Sequence, residues 1–398
     1  MKTASIQISK DEYQERSDKL LASINAEGLS GVILFDSTYI LYYTGFAFIP
    51  TERPIAFLLN NEGEKILFVP RMEVEHAQAN TFINIVEYYL EYPAVPHPME
   101  KLKQTLDSFG FGSAYAADTD GYPWVLGYQG PTLSELLGFR PKKTPAIIEE
   151  QMMIKSPAEI SLIRESIKWG HLAHQLLQRY TRVGVTETEA SLRASMEATI
   201  AMMDTIGPIY KAQSPFSRGA SAGYRGQIGR YAAIPHALAN NIKFQPGDIL
   251  VTGAGAPVWG YHSELERTMV VGSASDEQEV FFAHMLALQD TAFLAMVPGA
   301  SCADVDNAVK KYYVENDLMP YWKHHVGHAI GLRYHEGPFL DYGDLTVLQA
   351  GMIFTVEPGL YIPDLGGFRH SDTVLITEEG LEILTYYPRE LENLTIPL

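Results

Sequence analysis

Around Met153-Ile154-Lys155-Ser156-Pro157 the chain changes its periodicity, and that change constrains the fold more than any other feature. Before it, an amphipathic helix is expected over Asp11–Gly28, with Tyr13, Leu20, Leu21 and Ile24 at roughly helical spacing. Short strand-like runs follow at Gly31–Phe35, Ile55–Leu59 and Ile66–Val69, with helical and loop stretches between and after them, up to Ile148. This alternation is an α/β pattern. At the break, Ser156 or Pro157 starts a helix by cap chemistry, with Glu159 in the first turn. Long helices are expected beyond it at 158–180, 186–204, 276–295 and 302–316, with strands near 248–253, 258–271, 352–361 and 368–377. Helices grouped against hairpin-linked strands make this half α+β. Two domains are therefore expected, residues 1–154 and 155–398.

Composition excludes several classes of function. The 398 residues carry a formal charge of −18, which opposes phosphate binding and argues against nucleic acid as a partner. No glycine-rich phosphate loop follows any expected strand. Cys302 is the only cysteine, so no intrachain disulfide forms, as in a reducing compartment. The polar stretch Met1–Leu29 lacks the apolar centre of a signal peptide. No apolar run is long enough to span a membrane. A cytoplasmic location is expected.

The chemistry concentrates in four segments of the second half. These are Ala233–Ala237 with His236; Gly260–Thr268 with His262, Glu264 and Glu266; His324–Gly331 with His328, running on to His335-Glu336-Gly337-Pro338; and Phe354–Gly359 with Glu357, followed by Gly367–Asp372. If Gly260–Thr268 is a strand, His262, Glu264 and Glu266 share one face and Arg267 takes the other. Two carboxylates on one buried face need a cation, a proton or a metal. Glu357 stands in an apolar strand, where a carboxylate usually serves a site. His324 and His325 read as satisfied core or surface histidines.

Taken in order and spacing, the four segments resemble the pita-bread family that contains prolidase, aminopeptidase P, methionine aminopeptidase and creatinase. The resemblance covers essentially the whole chain and is stronger beyond residue 155. It implies a creatinase-like α/β N-terminal domain and an α+β pita-bread catalytic domain. The family's metallopeptidases hold two ions with two aspartates, a histidine and two glutamates. Carried over, the aspartate positions are Gly253 and Glu264, the histidine is His328, and the glutamates are Glu357 and Ser371. Glycine offers no ligand, and serine is a poor one beside a carboxylate. A two-ion centre is not expected. One ion on Glu264, His328 and Glu357 remains open.

The string Leu265-Glu266-Arg267-Thr268, the pair Glu357-Pro358, and His236 eleven residues before Gly247-Asp248-Ile249-Leu250 are similar to creatinase. That resemblance implies a hydrolase of a non-peptide C–N bond in a small amidine- or guanidine-like zwitterion, working without metal or other cofactor. Glu266 and Glu357 would hold the cation, His236 would move the proton, and His328 and His335 would complete the polar lining. It also implies a homodimer, with Arg53 reaching across the interface to the substrate carboxylate and Arg333 as a second clamp. Thr51 stands where creatinase has an aromatic residue, which argues against creatine itself. The alternatives are an Xaa-Pro dipeptidase or aminopeptidase with a degenerate metal site, and an inactive peptide-binding protein.

Overall fold

The computed structural model describes residues 6–211, 213 and 219–398, and the chain forms two compact units, one over Ile8–Met152 and the other beginning at Met153. The first unit is built on a six-stranded mixed sheet. Its order is Ile85–Tyr89, Lys65–Pro70, Ala56–Asn60, Gly31–Leu34, Tyr115–Ala117, Lys142–Lys143. The central strand Gly31–Leu34 is buried throughout, because it pairs antiparallel with Ala56–Asn60 and parallel with Tyr115–Ala117. Ile33, Leu58, Ile66, Phe68 and Leu102 form the core on one side of the sheet. The first helix runs Lys10–Ala26, capped by Ser9 and buried along Tyr13, Leu20 and Ile24. It stops short of Gly28, whose φ of +67° suits the turn out of the helix.

In the second unit Ser156 caps the helix Pro157–Tyr180. Its hydroxyl accepts from the Glu159 N–H at 3.2 Å, and the Glu159 carboxylate accepts from the Ser156 N–H at 2.8 Å. Helices Glu187–Ile206, Asp276–Ala295 and Cys302–Glu315 follow. The site is carried by an antiparallel sheet ordered Glu336–Leu340, Gly327–Ala329, Ile353–Val356, Ser371–Thr377, Leu265–Glu266, Gly253–Gly255, Ser221–Gly223. Its register sets Glu266 opposite Ser371 and Val356 opposite Asp372. A buried ion pair locks this centre: Arg267 Nη2 donates to Asp372 Oδ1 at 2.8 Å, and Gln289 donates to Asp372 Oδ2 at 2.9 Å. No helix among the described residues is long and apolar enough to cross a membrane.

The expected strand over 258–271 is interrupted. Trp259 and Gly260 both take left-handed φ, +51° and +81°, and turn the chain back so that Val258 bridges to Tyr261. His262 therefore does not alternate with the glutamates. Its N–H is tied to the Gly331 carbonyl, and its ring packs 4.2 Å from that of Tyr334. The ladder resumes at Leu265.

Candidate active site

Glu264 lies just outside the strand and is stitched to its neighbour by a side chain. Thr373 Oγ1 accepts from the Glu264 N–H at 2.9 Å and donates to its carbonyl at 2.8 Å. His328 sits at the centre of Gly327–Ala329. Its neighbour Gly327 packs so closely that a Cβ there would lie 2.1 Å from the Thr355 carbonyl oxygen, so only glycine lets the two strands meet. Glu357 leaves the end of Ile353–Val356, its N–H held by the Val326 carbonyl at 2.7 Å. These three elements bring one ligand atom each from Glu264, His328 and Glu357 to within 4.8 Å of one another.

His328 Nδ1 lies 3.0 Å from the Ala329 carbonyl. A carbonyl only accepts, so Nδ1 carries a hydrogen. Nε2 is buried without a hydrogen-bond partner and lies 3.3 Å from Glu357 Oε1. Burial works against charge on this ring, but the Glu357 and Glu264 carboxylates prevail and raise its pKa to about 9. Burial, with Glu357 and Glu266 nearby, raises Glu264 to about 8, although Ser371 donates to it at 2.7 Å. Glu357 is held well below the usual carboxylate range: burial opposes this, but His328 and Arg369 stabilise its charge.

Glu266 is fully engaged by the protein's own cations. Arg369 Nε donates to Oε2 at 2.5 Å, and Arg225 Nη2 donates to Oε1 at 3.0 Å. Arg369 Nε also lies 3.6 Å from Glu357 Oε2. Its Nη1 donates to the Tyr361 hydroxyl at 3.1 Å. Burial lowers His324 to about 4, and its Nδ1 donates to the His325 carbonyl, so Nε2 accepts the Tyr361 hydroxyl at 2.6 Å. Glu266 and Glu357, expected to hold a substrate guanidinium, thus share a guanidinium of the protein, that of Arg369. This arginine was visible in the Gly367–Asp372 segment, but its partner was not. Arg225 was missed entirely.

His335 stacks on His328 with ring centroids 3.8 Å apart, and His236, in an exposed turn, is close enough to lower the His335 pKa along with burial and His328. Arg53 belongs to the N-terminal unit, where it pairs with Glu52 at 2.5 Å and Glu91 at 2.7 Å. Arg333 stands in the loop before His335, its N–H donating to Glu336 Oε1 at 2.9 Å. Glu264, Glu266 and His335 line a cavity of about 390 Å³, and Ser221, Arg225 and Tyr334 line it as well.

The donor set fits one divalent ion. Two carboxylates and an imidazole whose Nε2 has no other partner are a sufficient set. A second ion does not fit. Gly253 brings no carboxylate, and a Cβ there would lie 3.5 Å from Glu266 Oε1, an oxygen already held by Arg225. Ser371 spends its hydroxyl on Glu264.

The profile of metallopeptidase family M24 matches residues 161–378, more than half of the chain, and that of the creatinase/prolidase N-terminal domain matches residues 16–124. The chain belongs to metallopeptidase family M24. It is 26% identical over 371 residues to an uncharacterized peptidase of Staphylococcus aureus (strain MW2), covering 93% of this chain and 99% of the relative. Among solved structures it is similar to the prolidase of Pyrococcus horikoshii OT3, with a TM-score of 0.79, 26% identity and coverage of 95% and 99%. It is likewise similar to dipeptidase PepE of Mycobacterium ulcerans, with a TM-score of 0.81, 25% identity and coverage of 98% and 100%. The expectation of a metal-independent, creatinase-like enzyme is corrected by these findings. The family is one of metallopeptidases, and Glu266, the cation holder of that expectation, is already neutralised from within.

Proposed function

We propose that this chain is a hydrolase of the peptide C–N bond in small Xaa-Pro substrates, working with a single divalent ion held by Glu264, His328 and Glu357. The convergence of those three side chains beside the cavity carries the proposal. The similarity to a prolidase and to a dipeptidase supports the substrate class. When bound, the ion supplies Lewis acidity and lowers the pKa of water. The residues do the rest. The Ala329 carbonyl fixes the His328 tautomer that presents Nε2. Arg369 holds Glu266 and Glu357 in place, and is itself oriented by Tyr361. His335 and His236, on the accessible side of His328, take the proton-transfer role toward the departing nitrogen. A cavity of about 390 Å³ suits a dipeptide-sized ligand.

A second reading keeps the addition of water across a C–N bond and changes the substrate to a small amidine- or guanidine-bearing zwitterion. Its support is the pair of departures at Gly253 and Ser371, where the family's peptidases carry carboxylates. One assay separates the two. Xaa-Pro dipeptides and amidine zwitterions are offered to protein stripped with chelator and reloaded with manganese or cobalt. Dipeptide turnover that vanishes with chelator and returns with metal supports the proposal. Turnover of amidines alone, or dipeptide turnover indifferent to chelator, rejects it.

A further inference from the structure

Arg225 is presented to the cavity by a strained and firmly anchored turn. It is a non-glycine residue at φ +50°, which costs about 1–3 kcal/mol and is typically retained where a side chain must be aimed. Gly226 follows at φ +77°, and a Cβ there would lie 2.0 Å from the Leu238 carbonyl oxygen. The Gly226 N–H donates to Glu187 Oε2 at 2.7 Å, and the Asn240 N–H donates to Glu187 Oε1 at 2.7 Å. Glu187 is buried in the first turn of Glu187–Ile206, so the turn is clamped to a helix end.

The guanidinium so presented is only partly used. Nη2 donates to Glu266 and, at 3.4 Å, to Gln227. Nε and Nη1 have no partner among the described residues, and the side chain keeps 52% of its exposure. Glu266 is shared with Arg369, which also reaches Glu357, so Arg225 meets only part of one carboxylate's charge and turns the rest of its guanidinium to the cavity. Ser221 and Tyr334, which hydrogen-bond each other, line the same cavity. Glu264 lines it too.

We propose that Arg225 is the specificity-determining residue that binds the carboxylate of a small zwitterionic substrate, with Ser221 and Tyr334 as neutral flanking donors. The assignment rests on the hydrolase reading above and replaces Arg53 and Arg333 in that task. Arg53 already serves two carboxylates in its own unit. Arg225 keeps free Nε–H and Nη1–H donors on a planar, permanently charged group, which a lysine ammonium does not reproduce.

The test compares Ala-Pro with its C-terminal amide on the metal-loaded full chain, for the wild type, Arg225→Lys and Arg225→Met. The wild type is expected to favour the acid by about 10- to 150-fold in kcat/KM, the range for hydrogen bonds to a charged group. Arg225→Met brings that ratio to near one, through KM for the acid, and Arg225→Lys falls between. A wild type without preference, or a ratio that survives Arg225→Met, overturns the assignment. Calorimetric titration with proline and prolinamide gives a readout independent of turnover. Proline binding that is lost in Arg225→Met, in a protein that hydrolyses no dipeptide, leaves the assignment standing and rejects the Xaa-Pro reading. Dipeptide turnover with proline binding indifferent to Arg225 does the reverse.

Discussion

Metal binding at Glu264, His328 and Glu357 must expel protons, and the number can be worked out from the site. Glu357 is already ionised. Glu264, raised to about 8, and His328, raised to about 9, are both protonated at pH 7. An ion can use Glu264 and Nε2 of His328 only after both protons leave, so close to two protons should be released at pH 7. Below pH 8 each group lowers the apparent affinity about tenfold per unit. Because each group's charge acts on the other, the two titrate as a pair, and affinity should rise by well over tenfold between pH 6 and pH 8. Calorimetric titration of the apoprotein with manganese, in buffers of different ionisation enthalpy at pH 6, 7 and 8, gives affinity, stoichiometry and proton count together. One equivalent is expected. An affinity that changes less than tenfold over this range, fewer than one proton released, or two tight equivalents would refute the reasoning. The same shifts have a stability consequence. Both groups bind protons more tightly folded than unfolded, so the apoprotein loses stability as pH rises, from about 4.5 through about 8 for Glu264 and from about 6.5 through about 9 for His328. A denaturant midpoint that rises over pH 6 to 9 in the metal-free protein would contradict that sign.

Three further predictions follow from contacts around the site. Asp372→Asn leaves the buried Arg267 guanidinium unbalanced and should cost about 3–5 kcal/mol, read as a lowered urea midpoint of the second unit; a loss under about 1 kcal/mol would mean the pair is not what locks the sheet. Gly327→Ala forces a methyl to within 2.1 Å of the Thr355 carbonyl oxygen and should displace His328, lowering manganese affinity at least about tenfold even where the variant stays folded by circular dichroism. Glu266→Gln removes the charge nearest Arg369 Nε, so the guanidinium moves onto Glu357 and competes for a metal ligand; manganese affinity should fall by about an order of magnitude, and unchanged affinity would show that Arg369 stays put.

The helices were legible because their signals are local. Ser156 with Glu159, and the periodic stretches ending in Asp276–Ala295 and Cys302–Glu315, declare themselves within a few residues. The break in the 258–271 strand was not legible, because Trp259 carries no turn chemistry of its own. It takes φ +51° in a turn whose N–H is fixed by the Lys211 carbonyl, distant in the chain. Glu264, His328 and Glu357 could be named from sequence because the order and spacing of their segments resemble the family's ligand motifs. Their convergence depends on strand register, which no single segment contains.

The internal pairing of Glu266 was hidden from the sequence for a physical reason. A sequence shows that a buried carboxylate needs a cation, but not whether the cation is a ligand or a neighbour. Glu266 and Arg369 are far apart in the chain, and only the pairing of Leu265–Glu266 with Ser371–Thr377 sets them side by side. Once that pairing exists, the electrostatics run differently from those of a site awaiting a cationic substrate. Arg369 spans Glu266 and Glu357, so Glu357 can ligate an ion without carrying its full charge into a buried space. Glu264, which has no such arginine, keeps its proton instead. The carboxylates missing at Gly253 and Ser371 therefore do not leave a surplus of negative charge to be filled from solution. They leave a wall whose one free cationic edge, among the described residues, is Arg225, and which is better arranged to meet a substrate anion than a second metal ion.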